Sequence, residues 1–171
     1  MCNFSMARRQ RVQARRRMTK SKIIAIGVLA VVASTVGYFG INSMIPANGS
    51  SPVFAFPSNH FIKATHSDRS GYVYVSMSSG SVKGLRTSGG GGIVNPEYIF
   101  DVGGLESIHF VNEDHDTRSQ HNFNVDEFNV HTRDLKYFES QTVTFIADKP
   151  GTYQYYCNIH PEMKGNIVIE Q

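Results

Sequence analysis

The chain has 171 residues, 17 Lys+Arg against 14 Asp+Glu, a formal net charge of +3 and two cysteines. Residues 1–22 hold eight basic side chains and no acid, while residues 23–171 hold 9 basic and 14 acidic groups; +8 and −5 make the +3. The folded part therefore lacks the clustered Lys/Arg of a nucleic-acid surface, and no nucleic-acid partner is expected. The length allows one ordinary domain, and Cys2 and Cys157, far apart in the chain, exclude a disulfide framework.

In chain order, residues 1–22 are a basic tail (Arg8, Arg9, Arg11, Arg15, Arg16, Arg17, Lys20 and Lys22). Residues 23–45 contain no charge and are long enough for one transmembrane helix, with Tyr38 and Phe39 near one interface. The preceding positive charges predict a cytoplasmic N-terminus and a single pass through the cell membrane. The C-terminal part is then extracytoplasmic, either periplasmic or extracellular. A cleaved signal ending at Val31-Val32-Ala33 is the competing reading, with the same consequence for export. A lipoprotein is excluded, because Cys2 precedes the apolar run.

Residues 46–70 read as a linker or stalk leading into the domain. Val53, Phe54, Phe56, Phe61 and Ile62 are apolar enough for an edge strand, but Pro52 and Pro57 count against it. From Gly71 the pattern is β: Tyr72–Val75, Ile93-Val94, Tyr98–Phe100, Ser107–Asn112, Thr142–Ala147, Tyr153–Cys157 and Asn166–Glu170. Gly89–Gly92 reads as a flexible break and Lys149-Pro150-Gly151 as a turn. The only helix candidate beyond the apolar segment lies within residues 126–140. Short strands with turn signals between them indicate an all-β sandwich or barrel over residues 71–171.

The chemistry concentrates in Tyr155-Tyr156-Cys157-Asn158-Ile159-His160-Pro161-Glu162-Met163-Lys164-Gly165. A thiol, an imidazole and a thioether at C-x2-H-x2-M spacing form a soft ligand set. Two imidazoles and a thiolate with a weak axial thioether make a blue copper site. The second imidazole must come from another strand. His121, before Asn122-Phe123-Asn124-Val125, is the best source, and His115 is the alternative. Zinc suits Cys and His but not a thioether. Pro161 stiffens the loop by fixing φ.

In these residues the chain resembles the cupredoxins, the type 1 blue copper proteins. Gly151–Cys157 looks like the family's strand entering the ligand loop, and Cys157–Gly165 like the short loop of its amicyanin branch. Val111–Asp114 followed by His121-Asn122 resembles the region of the first histidine ligand. The resemblance covers about residues 71–171 and implies a cupredoxin-like Greek-key β-sandwich. It implies His121, Cys157, His160 and Met163 as ligands of one copper ion cycling between Cu(I) and Cu(II), with Asn122 steadying the loops. It also implies that the His160 ring edge is the electron port, met by redox proteins through a small transient contact that Ile159 and Pro161 extend.

The function expected is a membrane-tethered, single-domain electron carrier with a monomeric ectodomain, and not an enzyme. A copper-binding or copper-delivery module for an oxidase is the alternative. A catalytic copper centre lacks a second histidine cluster. Of the other residues, His60, His66 and His131 read as surface groups, and His109 as outward-facing by strand parity. Tyr153 and Tyr155 read as core, and Glu113, Asp114, Asp116, Asp126 and Glu127 as a solvated acidic face.

Overall fold

A computed structural model describes residues 19–77, 82–86 and 92–171 of the chain. Most of the basic tail, Cys2 and most of the Gly89–Gly92 break lie outside the described residues. The chain divides into two compact units, residues 1–40 and 41–171.

Helix α1 spans Lys20–Asn42, 23 residues, with none of them buried. At 1.5 Å per residue it is about 35 Å long, more than the roughly 30 Å hydrocarbon thickness of a bilayer. It is apolar all round, as lipid-facing helices are. The hydroxyls of Ser34 and Thr35 donate to the carbonyls of Ala30 and Val31 (2.8 and 3.1 Å), so they need no water.

Ten strands follow among the described residues: β1 (Ser58–Ser67), β2 (Gly71–Ser76), β3 (Val82–Arg86), β4 (Ile93–Asp101), β5 (Leu105–Asn112), β6 (Asn124–Val125), β7 (Val130–His131), β8 (Ser140–Ile146), β9 (Gly151–Tyr156) and β10 (Lys164–Glu170). They join in one hydrogen-bonded path, β7-β6-β9-β10-β4-β2-β1-β5-β8, with β3 paired to β4. The pairs β1/β5 and β4/β10 are parallel and the rest antiparallel. The path folds back on itself. Phe128, just before β7 at one end, stacks on Phe145 of β8 at the other, with ring centroids 5.0 Å apart. The enclosed core includes Ile62, Tyr74, Tyr98, Phe110, Phe123, Phe128, Phe145, Tyr155 and Ile167, all fully buried. Each such side chain contributes on the order of 1.5–3 kcal/mol of transfer free energy. The all-β expectation holds.

Three expectations need correction. Residues 58–67, placed in the linker, form β1, which lies inside the sheet between β2 and β5. His60, Ile62 and Ala64 alternate inward, and that alternation outweighs the two flanking prolines because both lie before the strand. His60 is consequently buried, not a surface group. It bonds the buried Glu106 at 2.6 Å and packs on Phe100. The 126–140 helix candidate is a single 3-10 turn, Asp126–Phe128, closed by Asn129 at φ 51°.

Segment 46–48 is likewise no free stalk. The Ala47 amide donates to the Thr144 carbonyl (2.6 Å), and the Asn48 side chain bonds both the amide and the carbonyl of Ile146. The chain thus enters the domain at the end of β8, and β1 starts beside Glu106 at the start of β5. β5 then runs to Asn112 at the opposite pole, about 20 Å away at 3.3 Å per residue.

Candidate metal centre

The site lies at the pole where β5, β9 and the start of β2 converge. Asn112 ends β5 and staples the following loop. Its side-chain amide donates to the carbonyls of Ser119 (2.7 Å) and Leu135 (2.8 Å), and its oxygen accepts the Asp114 amide (2.9 Å). His121 then pairs with Leu135 through two main-chain bonds, which hold its Cα. On the other side, the Cys157 amide donates to the Met163 carbonyl and the Met163 amide to the His160 carbonyl, both at 3.0 Å. These two bonds fold Cys157–Met163 into a closed loop.

Cys157, His160 and His121 come together: one donor atom from each lies within 4.8 Å of the others. Cys157 Sγ is 3.8 Å from His160 Nδ1, and the two imidazole centroids are 4.5 Å apart. All three residues are buried, and Met163 is fully buried in the hydrophobic core to which Cys157 also belongs. His115, the alternative to His121, is on the exposed part of the loop beside Asp116 and takes no part in the cluster.

The outer partners orient both rings. His121 Nε2 donates to Asp114 Oδ2 at 3.2 Å, which leaves Nδ1 with the lone pair. That Nδ1 is buried and has no hydrogen-bond partner. An orphaned imidazole nitrogen beside a buried thiol and a second imidazole is what a thiophilic cation fits. His160 Nε2 bonds the Ser119 hydroxyl at 3.1 Å. Burial lowers the pKa of both histidines, so both favour the neutral form that a metal needs.

Asp114 departs from the expected solvated acidic face. Its side chain is fully buried. Burial opposes its ionisation. It accepts bonds from the Thr117 hydroxyl and amide, the His121 ring and the Ser119 amide, and these win and lower its pKa to about 2. The signal was present in the sequence as Asp114-x-x-Thr117-x-Ser119, a pattern that folds around its own carboxylate. Tyr72 was also missed. Its ring lies 3.8 Å from that of His160 and 5.5 Å from that of His121, so it covers the histidine pair.

Asn122 joins the two halves. Its Oδ1 accepts the Asn158 amide and the Asn124 side-chain amide (both 2.8 Å), its Nδ2 donates to Asp134 (2.6 Å), and its carbonyl accepts the Tyr74 hydroxyl. Pro161 is exposed at the loop tip, as is Ile159, and the His160 ring is 8% exposed between them.

Comparison with known proteins agrees with this architecture. Residues 101–169 match a family model described as a cupredoxin-like domain. No curated protein sequence matches the chain significantly. Among solved structures, a rusticyanin variant is 15% identical over 69% of this chain and 80% of its own, with a TM-score of 0.51. Auracyanin B is 17% identical over 70% of this chain and 94% of its own, at 0.44. A multicopper oxidase variant from Aquifex aeolicus is 18% identical over 69% of this chain, at 0.48, and the match spans only 28% of that longer chain. The β unit has a cupredoxin-like fold, with the family match confined to residues 101–169, and its His121–Cys157–His160 cluster is consistent with a single type 1 copper site.

Proposed function

We propose that the protein is a membrane-tethered blue copper protein that passes single electrons between redox partners on the outer side of the cytoplasmic membrane. The observation that carries the reading is the buried, partnerless His121 Nδ1 beside Cys157 and His160. His121, Cys157, His160 and Met163 are the residues that would hold the copper. Bound copper supplies one-electron chemistry between its two oxidation states.

The chain's own groups make that chemistry fast by staying still. Asp114 and Ser119 hold the outer nitrogens of the two imidazoles. Asn122 ties the Cys157 loop to the His121 segment. Ligand loops braced in this way on a β scaffold need little rearrangement when the charge changes. Met163 is itself fully buried, so its thioether is shielded from water. The His160 ring edge, with Ile159 and Pro161 beside it, is the contact for transient partners. Anchorage rests on α1, and its sidedness on the eight basic residues before it.

The copper-loaded full chain in detergent is expected to show an intense thiolate-to-copper visible absorption and reversible one-electron cycling. A colourless copper complex refutes the proposal. Rapid, complete loss of Cu(I) to a chelator would favour a delivery role instead.

A further inference from the structure

From Ile23 to Ile62 the chain contains no Asp, Glu, Lys or Arg, although α1 ends at Asn42. The uncharged stretch therefore runs some twenty residues past the helix, into the β unit. Within it, Phe54 and Phe56 are 82% and 103% exposed and Met44 is 48% exposed. Together with Val53 and Ala55 they line one shallow apolar concavity.

This patch is built, not frayed. The Val53 amide donates to the Met44 carbonyl at 3.0 Å, closing residues 44–53 into a loop. The loop is riveted to the domain by the Ala47 and Asn48 bonds to β8 and by Asn129 Nδ2, which donates to the Ala47 carbonyl at 2.9 Å. Phe54 and Phe56 directly follow this fixed loop, and two exposed phenylalanines there are a large apolar liability in water. Aromatic rings with no nearby charge suit the interfacial zone of a bilayer.

We infer that Phe54, Phe56 and Met44 form a membrane seat: they insert into the lipid interface and hold the domain down on the bilayer. The inference rests on the reading of α1 as a membrane anchor. Covalent continuity selects lipid as the occupant, because Met44 follows the last helical residue by only two positions. The seat is at the pole where β1 and β5 begin, and the candidate metal cluster is at the pole where β5 ends. A seated domain therefore turns His160 away from the membrane, towards soluble partners.

The chain contains no Trp, so single substitutions give unambiguous reporters. Val31→Trp, Phe54→Trp and Phe138→Trp are made in the full, copper-free chain and reconstituted in phosphatidylcholine vesicles, with and without brominated acyl chains. Phe138 is 74% exposed and its amide bonds the Asn112 carbonyl, so it reports the metal pole. Expected are quenching of Val31→Trp and Phe54→Trp by brominated lipid, and quenching of Phe138→Trp only by aqueous iodide. Iodide quenching of Phe54→Trp, with Val31→Trp still lipid-quenched, overturns the seat and leaves the anchor standing. A Val31→Trp insensitive to brominated lipid overturns both. A Phe54→Trp shielded from iodide yet insensitive to brominated lipid means that protein covers the patch, which also overturns the seat. Lipid quenching of Phe138→Trp overturns the orientation. Phe56→Trp repeats the test at a second position.

Discussion

Replacing Asp114 with Asn keeps the shape of a fully buried side chain and removes its charge. Four donors converge on Asp114: the Thr117 amide on Oδ1, and the Thr117 hydroxyl, the Ser119 amide and His121 Nε2 on Oδ2. An asparagine has one acceptor oxygen. It serves the three donors best at the Oδ2 position, which leaves its amide facing the Thr117 N–H. The folded-state pKa of about 2, against 3.8 for a free carboxyl, corresponds to about 2–3 kcal/mol of favourable interaction with the ionised form. Asp114→Asn should therefore cost the copper-free protein about 2–3 kcal/mol at neutral pH. Because the folded pKa lies below the unfolded one, this stability is present above about pH 4 and is lost as pH falls through 2; the gap between wild type and variant should narrow to about half near pH 3. Urea unfolding of the full chain in detergent, followed by tyrosine near-ultraviolet circular dichroism, measures both. A variant as stable as wild type at pH 7, or a gap that does not change between pH 7 and pH 3, would refute the reasoning.

Other substitutions test the remaining parts. His121→Ala should abolish the thiolate-to-copper absorption while His115→Ala leaves it intact; equal loss in both would return the first ligand to doubt. Tyr72→Ala removes the ring that lies tilted against His160, worth about 0.5–1.5 kcal/mol, and should speed copper loss to a chelator, with Tyr72→Phe restoring the wild-type rate. Gly165→Ala would drive a methyl group into the Tyr155 hydroxyl, which is buried and donates to the Pro96 carbonyl at 2.6 Å. It should destabilise the domain by about 1–3 kcal/mol in a denaturation series. Phe128→Ala opens the contact between the two ends of the sheet path and should cost about 3–5 kcal/mol by the same measurement.

Local signals were legible because they act over short distances. Cys157, His160 and Met163 sit on one loop, so their spacing alone proposes a soft metal site, and two main-chain bonds close that loop. The alternation of Ile108 and Phe110, and of Tyr153 and Tyr155, marked strands because parity survives without knowledge of partners. His60 shows where that reading stopped short. It shares parity with the buried Ile62 and Ala64, whereas Pro52 and Pro57 argue against a strand in this region from sequence alone.

Composition and spacing were enough to separate a charged tail, an apolar span and an all-β unit, and to propose thiolate–imidazole–thioether chemistry. They could not choose between His115 and His121, which are six residues apart on one loop. The fold brings His121, and not the exposed His115, beside Cys157 and His160: His121 pairs with Leu135, and Asp114 holds its outer nitrogen. The same loop turns a carboxylate expected in solvent into a buried structural anion, because four donors converge on it from residues distant in orientation though near in sequence. Tyr72 meets His160 only because β2 begins at the pole where β9 ends. Such contacts depend on which strands are neighbours in space, and strand order is a property of the whole core, not of any segment of the chain.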